Sequence, residues 1–169
     1  MSTQPGRYGV ITAKSIELRA EDGHDACPKN ADGTRVADDP TSPIVYRSDL
    51  VGGDLCSKLS KDVITADDLR NARAAATSDN HGRPTVQVMV RPASQRRVNA
   101  LLNACYSLAD SCDGSASGDG HGAFVLLING TIAERMFAEQ QDAASSGPVN
   151  IAMGLSDDEA AQVVAAING

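Results

Sequence analysis

The stretch AFVLLINGTIAERMF, residues 123–137, decides the fold that we predict for this chain. It begins with a continuous apolar run, Phe124 to Ile128, which is short and partly β-branched, as is typical of a buried strand. Asn129-Gly130 follows, and it predicts a hairpin because both residues tolerate the positive φ of a tight two-residue turn. Polar and apolar residues then alternate from Ile132 to Phe137, which predicts the return strand. We expect the apolar strand at the centre of a sheet and the mixed strand nearer an edge.

The composition excludes several classes of function. A chain of 169 residues is long enough for one domain, or for one domain with an N-terminal lobe. The hydrophobic fraction is 41% but the aromatic fraction only 3%, so the core must be built from small aliphatic side chains. The formal net charge of -7 and the few aromatic residues argue against nucleic acid and against an anionic membrane surface as partners. The sequence has no apolar run near the roughly 20 residues that a transmembrane helix needs.

The cysteines bear on the compartment. They are Cys27, Cys56, Cys105 and Cys112. Cys27–Cys56 and Cys105–Cys112 are the simplest of three possible pairings, and four unrelated free thiols are the alternative. Disulfides favour the periplasm. Residues 1–6 have neither the charged nor the apolar region of a signal peptide. We therefore expect either a cytosolic protein or, as the cysteines favour, a periplasmic one whose exporting or lipoprotein-anchoring N-terminal segment has been removed.

From residue 43 onward, the sequence predicts the order strand, helix, strand, helix, strand, strand, strand, helix. Thr65 is a helix cap followed by carboxylates, which predicts a helix over residues 66–77. Alternating valines predict a strand over residues 85–91, and apolar residues at helical spacing predict a helix from Ser94. A last strand is predicted at residues 149–153, and a capping box at Ser156–Glu159 opens a final helix. This order is typical of the α+β class, with a mainly antiparallel sheet and helices packed on one face.

The first 59 residues have a different pattern. One strand is predicted between Val10 and Arg19, and a short strand at residues 43–46. The stretch from Glu21 to Ser42 is dominated by Asp, Gly, Asn and Pro, which predicts a long loop held through Cys27. We therefore predict an N-terminal extension over residues 1–59 and one α+β domain over residues 60–169.

The residues that could carry chemistry do not form a recognisable motif. His24 and Cys27 have a spacing that suits a metal, but a zinc site needs four ligands and no second pair is evident in the sequence. The aspartates within residues 110–119 lack the regular spacing of an EF-hand, and His81 and His121 lie in glycine-flanked loops. Residues 118–122 are rich in glycine but precede a strand, so they do not form a phosphate site at a helix N-terminus. We predict no catalytic residue, no metal and no cofactor, and a hydrolase or metal enzyme is the alternative.

Six segments between residues 60 and 169 resemble, in order and spacing, the periplasmic head of SecD, a subunit of the bacterial protein-export machinery. They are Val63–Leu69 with Asn71–Ala74, Pro84–Val90, the helix from Ser94, Phe124–Ile132, Ser146–Met153 and Ser156–Gly169. The chain departs from the family at Ser146, where the family has glycine, and at Arg135–Ala138, where it has isoleucine-x-alanine-proline. The sequence also lacks the intramembrane carboxylates that couple SecD to protons. The resemblance implies a SecD-head fold, ferredoxin-like in character, and a way of holding polypeptide, but not translocation itself.

We therefore expect a non-enzymatic periplasmic module, linked to protein export, that binds a protein or an unfolded polypeptide. The expected surfaces are the sheet face that the helices leave uncovered and the return strand, where an extended segment could pair with the backbone. Arg135, Met136 and Phe137 are the candidate binding residues, and the alternative for them is one buried pair and one solvated charge. A second hypothesis is an inhibitor or immunity-type protein whose acidic surface binds one basic protein.

Overall fold

The structure is a computed structural model of the chain, and it describes residues 6–27, 29–34, 45–48, 55–76, 82–108, 112 and 121–169. The strands are β1 (Ile16–Ala26), β2 (Val45–Ser48), β3 (Leu55–Thr65), β4 (Leu69–Ala76), β5 (Pro84–Val90), β6 (Ala123–Ile128), β7 (Thr131–Phe137) and β8 (Val149–Ala152). The α-helices are α1 (Gln95–Tyr106), α2 (Ala143–Ser146) and α3 (Asp157–Asn168). The α+β class predicted from the sequence is therefore confirmed.

The strands form two antiparallel sheets. The five-stranded sheet has the order β2-β3-β1-β6-β7, and the three-stranded sheet has the order β4-β5-β8. The edge strands β7 and β8 lie next to each other, although no backbone ladder joins them. A ferredoxin-like domain would hold the corresponding strands in one sheet. Here the described strands are divided between two sheets, and the resemblance to the SecD head stays a prediction.

The predicted hairpin is confirmed, and it organises the larger sheet. Asn129 and Gly130 have φ values of 50° and 79°, as the tight turn requires. β6 lies between β1 and β7, and β7 is the edge strand, as predicted. β1 comes from the segment that we predicted as an N-terminal extension, yet it pairs with β6 from Ile16↔Ile128 to Ala20↔Phe124. An N-terminal strand thus lies at the centre of the five-stranded sheet.

The main core is shared by one face of each sheet and the inner faces of α1 and α3. Its members include Leu18, Val86, Val98, Leu126, Ile151 and Val163. On the other face of the five-stranded sheet lies a small cluster made of Leu59, Val125, Leu127 and Ile132. This division follows from the alternation of side chains along a strand. The described helices include none that is long and apolar enough to cross a membrane.

The helix predicted over residues 66–77 is wrong. Thr65 forms its capping box with Asp68, but the turn that it opens is a 3₁₀ turn of three residues, and β4 follows at once. Asn71 has a φ of 49° and lies in an irregularity of the pairing between β4 and β5. This irregularity buries Leu69 and Ala72, three residues apart, on one side of the strand. A spacing of three is also typical of a helix face, and it misled the sequence interpretation.

The N-terminal half contains more strand than the sequence predicted. β1 continues to Ala26, into the predicted loop, and β3 was not predicted. The disulfide Cys27–Cys56 connects the ends of these two paired strands, and Cys105–Cys112 links the end of α1 to the segment before β6. Both predicted pairings are confirmed. Several features discussed above lie outside the described residues. They are residues 35–42 of the predicted loop, the start of the predicted strand at Pro43, His81, and the three aspartates within residues 110–119.

Candidate functional site

The candidate site lies where the two sheets meet, between the edge strands β7 and β8. Among the described strands, β7 pairs with β6 alone and β8 with β5 alone. Glu134 of β7 contacts Gly154, just beyond the end of β8. Phe137, at the end of β7, shares a cleft with Val149, at the start of β8. These two proximities indicate that the strands run antiparallel to each other, and no backbone ladder joins them.

One end of this gap is closed by Glu134. Its carboxylate accepts hydrogen bonds from the backbone N–H groups of Gly154 and Met153. Arg83 donates to the carbonyl oxygen of Gly154 at 2.6 Å. Burial raises the pKa of Glu134, although the two N–H groups and the charges of Arg7 and Arg83 oppose that rise. A Cβ atom at Gly154 would lie 2.5 Å from a carboxylate oxygen of Glu134, so a side chain at this position would displace the carboxylate.

The other end of the gap opens into a cleft of about 240 Å³. Its apolar lining consists of Leu102, Phe124, Met136, Phe137, Ala138, Ala143, Pro148 and Val149. Its polar lining consists of Gln87, Glu139, Gln140 and Asn150. The volume is smaller than the roughly 300–1,000 Å³ of most small-molecule sites and suits one or two side chains. Glu139 is the one ionisable group in this lining, so the cleft can hold a ligand but offers no pair of groups for acid–base chemistry.

A row of polar side chains leads from the cleft across the three-stranded sheet. Asn150 of β8 lies opposite Gln87 of β5, which lies opposite Arg73 of β4. The amide nitrogen of Gln87 donates to Asn150 at 3.0 Å. The amide oxygen of Gln87 accepts from Nη2 and Nε of Arg73 at 2.7 and 3.0 Å. Each side chain therefore orients the next, from the edge strand β8 to the far edge strand β4.

The wall of the cleft formed by α2 is positioned by two asparagines of α1. Asn99 accepts a hydrogen bond from the backbone N–H of Ala144 at 2.8 Å. Asn103 accepts one from the N–H of Asp142, also at 2.8 Å, and Asp142 has a φ of 52°. The two amide oxygens accept from backbone N–H groups at the start of α2, which have no partner within the helix. A helix as short as α2 is not stable alone. The sequence offered no signal for this role, because polar residues on an amphipathic helix normally face water.

The structure brings together two of the three predicted binding residues. Met136, which is 8% exposed, and the half-buried Phe137 both line the cleft. Arg135 does not line the cleft, because its guanidinium group donates to Glu21 at 2.9 and 3.0 Å. Glu21 is 1% exposed. The alternative of a solvated charge at Arg135 is therefore wrong, and this arginine is half of a buried ion pair.

Gln87, Asn150 and Arg73 were not predicted as site residues. The sequence identified Gln87 as a polar residue within an alternating strand. The residue that lies opposite Gln87 depends on pairing between distant segments, which the sequence does not show.

In the part of the chain that the structure describes, no group of three His, Cys, Asp or Glu side chains lies close enough to hold a metal ion. No protein-family model matches the chain, and no curated protein or solved structure matches it either.

Proposed function

We propose that this protein is a non-enzymatic periplasmic module that binds an extended polypeptide segment in the cleft between β7 and β8. The observation that carries the proposal is the pair of neighbouring edge strands that lack a common ladder and open into an apolar cleft. Edge strands commonly recognise extended segments, since their backbone groups provide affinity and adjacent pockets select side chains.

The shape and chemistry of the cleft support a polypeptide as ligand. A volume of about 240 Å³ lined by Phe124, Met136 and Val149 suits an aliphatic or aromatic side chain. Gln87 and Asn150 at the same cleft carry amide groups, which can donate to and accept from a peptide backbone. The ligand would therefore be held by one buried side chain and by backbone contacts beside it.

Two further observations bear on the compartment and the process. The disulfides Cys27–Cys56 and Cys105–Cys112 are compatible with an extracytoplasmic location. The periplasm in particular, and a link to protein export, are proposed from the resemblance of residues 60–169 to the SecD head. Under this proposal the module holds exported chains or a partner protein without acting on them chemically.

The experiment that tests the proposal is a titration of isotope-labelled protein with unfolded polypeptides while backbone amide shifts are recorded. We expect the largest shifts at residues 134–138 and 148–152. The variant Ala143→Met fills the cleft from α2 and should weaken binding about tenfold or more. The matched control Ala161→Met, at an exposed position of α3, should leave binding unchanged.

Shifts confined to other surfaces would contradict the proposal, as would equal affinities of the two variants. A tight, salt-sensitive complex with one basic protein, formed away from the cleft, would instead favour the inhibitor or immunity-type function.

A further inference from the structure

The arginines of this acidic chain are concentrated in one region. Residues 70–97 contain six arginines and one aspartate, although the formal net charge of the whole chain is -7. These residues include β4 except for Leu69, all of β5 and the beginning of α1. This segment of the chain is thus cationic in a protein whose net charge is negative, and two of its arginines, Arg70 and Arg73, lie in β4.

Two of these arginines lie on the sheet face that carries the polar row. Arg73 lies opposite Gln87 of β5, and Arg70 lies opposite Met89 of β5. Met89 is two residues beyond Gln87, so both lie on the same face of the sheet. Arg73 is exposed, and within the described residues no carboxylate forms an ion pair with Arg73. Nε of Arg70 is buried without a hydrogen-bond partner in the described part of the chain. Among the residues that the structure describes, no carboxylate neutralises these two cationic groups.

Arg73 is already oriented for a ligand. A guanidinium group has five N–H donors. Gln87 accepts from Nε and Nη2 of Arg73, so this contact leaves the N–H groups of Nη1 and the second N–H of Nη2 for a ligand. Gln87 also lines the cleft, so this hydrogen-bonded pair places the guanidinium group of Arg73 near the cleft.

We propose that the cleft selects polypeptide segments that carry an acidic residue about three residues away from the apolar residue that fills the cleft, and that the acidic side chain pairs with Arg73. This inference rests on the proposed function. Two strand spacings separate β8 from β4, which is roughly 10 Å. A segment that leaves the cleft along the polar row, across β8 and β5, advances roughly 3.3 Å per residue, so about three residues reach from the cleft to Arg73.

Glu139 sharpens the expected preference. It lines the cleft itself, so a carboxylate directly beside the apolar residue would meet like charge. A carboxylate three residues away would meet Arg73, with Arg70 on the same sheet face. The position of the acidic residue, and not the net charge of the peptide alone, should therefore determine the affinity.

The inference is tested by fluorescence anisotropy with synthetic peptides in which one leucine lies in a neutral, extended background. One set has no acidic residue, a second has a glutamate next to the leucine, and a third has a glutamate three residues away on either side. For an exposed ion pair, we expect the third set to bind about twofold to fivefold more tightly than the first. The second set should show no gain, and 0.5 M salt should reduce the preference.

Three variants identify the group responsible. Arg73→Gln should abolish the preference for the third set, and Arg73→Lys should keep part of it because the charge remains. Arg96→Gln, at an exposed position of α1, makes the same change in net charge and should keep the preference in full. Circular dichroism and urea unfolding establish that each variant is folded.

The outcomes separate this inference from the function on which it rests. Equal binding of all three sets to the unmodified protein would overturn the inference and leave the polypeptide-binding function intact. Loss of the preference in Arg96→Gln to the same extent as in Arg73→Gln would also overturn it, because general charge would then explain the result. If no peptide binds, the proposed function and the inference are both rejected.

Discussion

The backbone N–H of Gly154, just beyond β8, donates a hydrogen bond to the carboxylate of Glu134 on β7. Glu134 thereby connects two sheets that share no backbone ladder. The same contact closes one end of the gap whose other end is the cleft. The separation of β7 and β8 at the cleft depends in part on this one carboxylate.

Replacing Glu134 should therefore alter how stability depends on pH. Burial raises the pKa of Glu134 above its ordinary value of 4.5, so the folded state holds this proton more tightly than the unfolded state. The contribution of protonated Glu134 to the free energy of unfolding is fully present below pH 4.5. It is lost as the pH rises through the folded-state pKa. Glu134→Gln carries no charge at any pH and should lack this loss. Urea unfolding measured between about pH 4 and about pH 8 should show a smaller decline for the variant, and parallel curves would contradict the prediction.

Asp68 should have the opposite dependence on pH. Burial acts to raise its pKa, but hydrogen bonds from Arg97, from the N–H of Thr65 and from Ser94 together lower it. Its stabilisation is therefore present above its ordinary value of 3.8 and is lost as the pH falls through the folded-state pKa. Asp68→Asn should cost about 1–3 kcal/mol at neutral pH and less in acid. The exposed neighbour provides the control, because Asp67→Asn should change the free energy of unfolding by less than about 0.5 kcal/mol.

Gly122 should tolerate no side chain, because of the second disulfide. A Cβ atom there would lie 2.8 Å from both Sγ and the carbonyl oxygen of Cys112. Gly122→Ala should therefore destabilise the protein by about 1–3 kcal/mol. Gly6→Ala is the matched control, since no atom lies within 4 Å of a Cβ atom at that position. Thermal unfolding of the two variants should differ clearly, and equal midpoints would show that the disulfide shifts without cost.

The two disulfides should differ in their contributions to stability. Cys27–Cys56 closes a sequence separation of 29 residues and Cys105–Cys112 one of 7 residues. Loop-closure entropy predicts about 3.5 kcal/mol for the first and about 2.5 kcal/mol for the second. Guanidinium unfolding of the two double Cys→Ser variants measures both values. A larger loss from the shorter loop would show that native contacts around Cys105, and not chain entropy, dominate.

Local signals explain the parts of the fold that the sequence predicted correctly. Asn129-Gly130 gives a tight turn because its two residues accept positive φ. Ser156 accepts from the N–H of Glu159 at 3.2 Å, as the capping box predicted, so the start of α3 was also readable. In both cases the residues that interact are neighbours in the chain.

Residues 66–77 show why a local signal can fail. The cap at Thr65 is real, but its helical turn ends after Asp68, since the following residues complete a sheet with β5. The side chain of Asn168 stabilises the irregular strand by exchanging two hydrogen bonds with the backbone of Ala72, at 2.8 and 2.9 Å. That partner is 96 residues away, and no local pattern could predict it.

The amino-acid sequence by itself determined the hairpin, the caps and the α+β class, because each depends on the conformational preferences of neighbouring residues. It favoured the disulfide pairing that the structure shows, but left the other pairings and free thiols open. Only the tertiary structure decided which strands are neighbours, and with them the cleft. Gln87 meets Asn150 across 63 residues, and Arg135 meets Glu21 across 114. Such pairs form when distant apolar segments are buried together, and the register of that packing decides which polar groups then lie side by side.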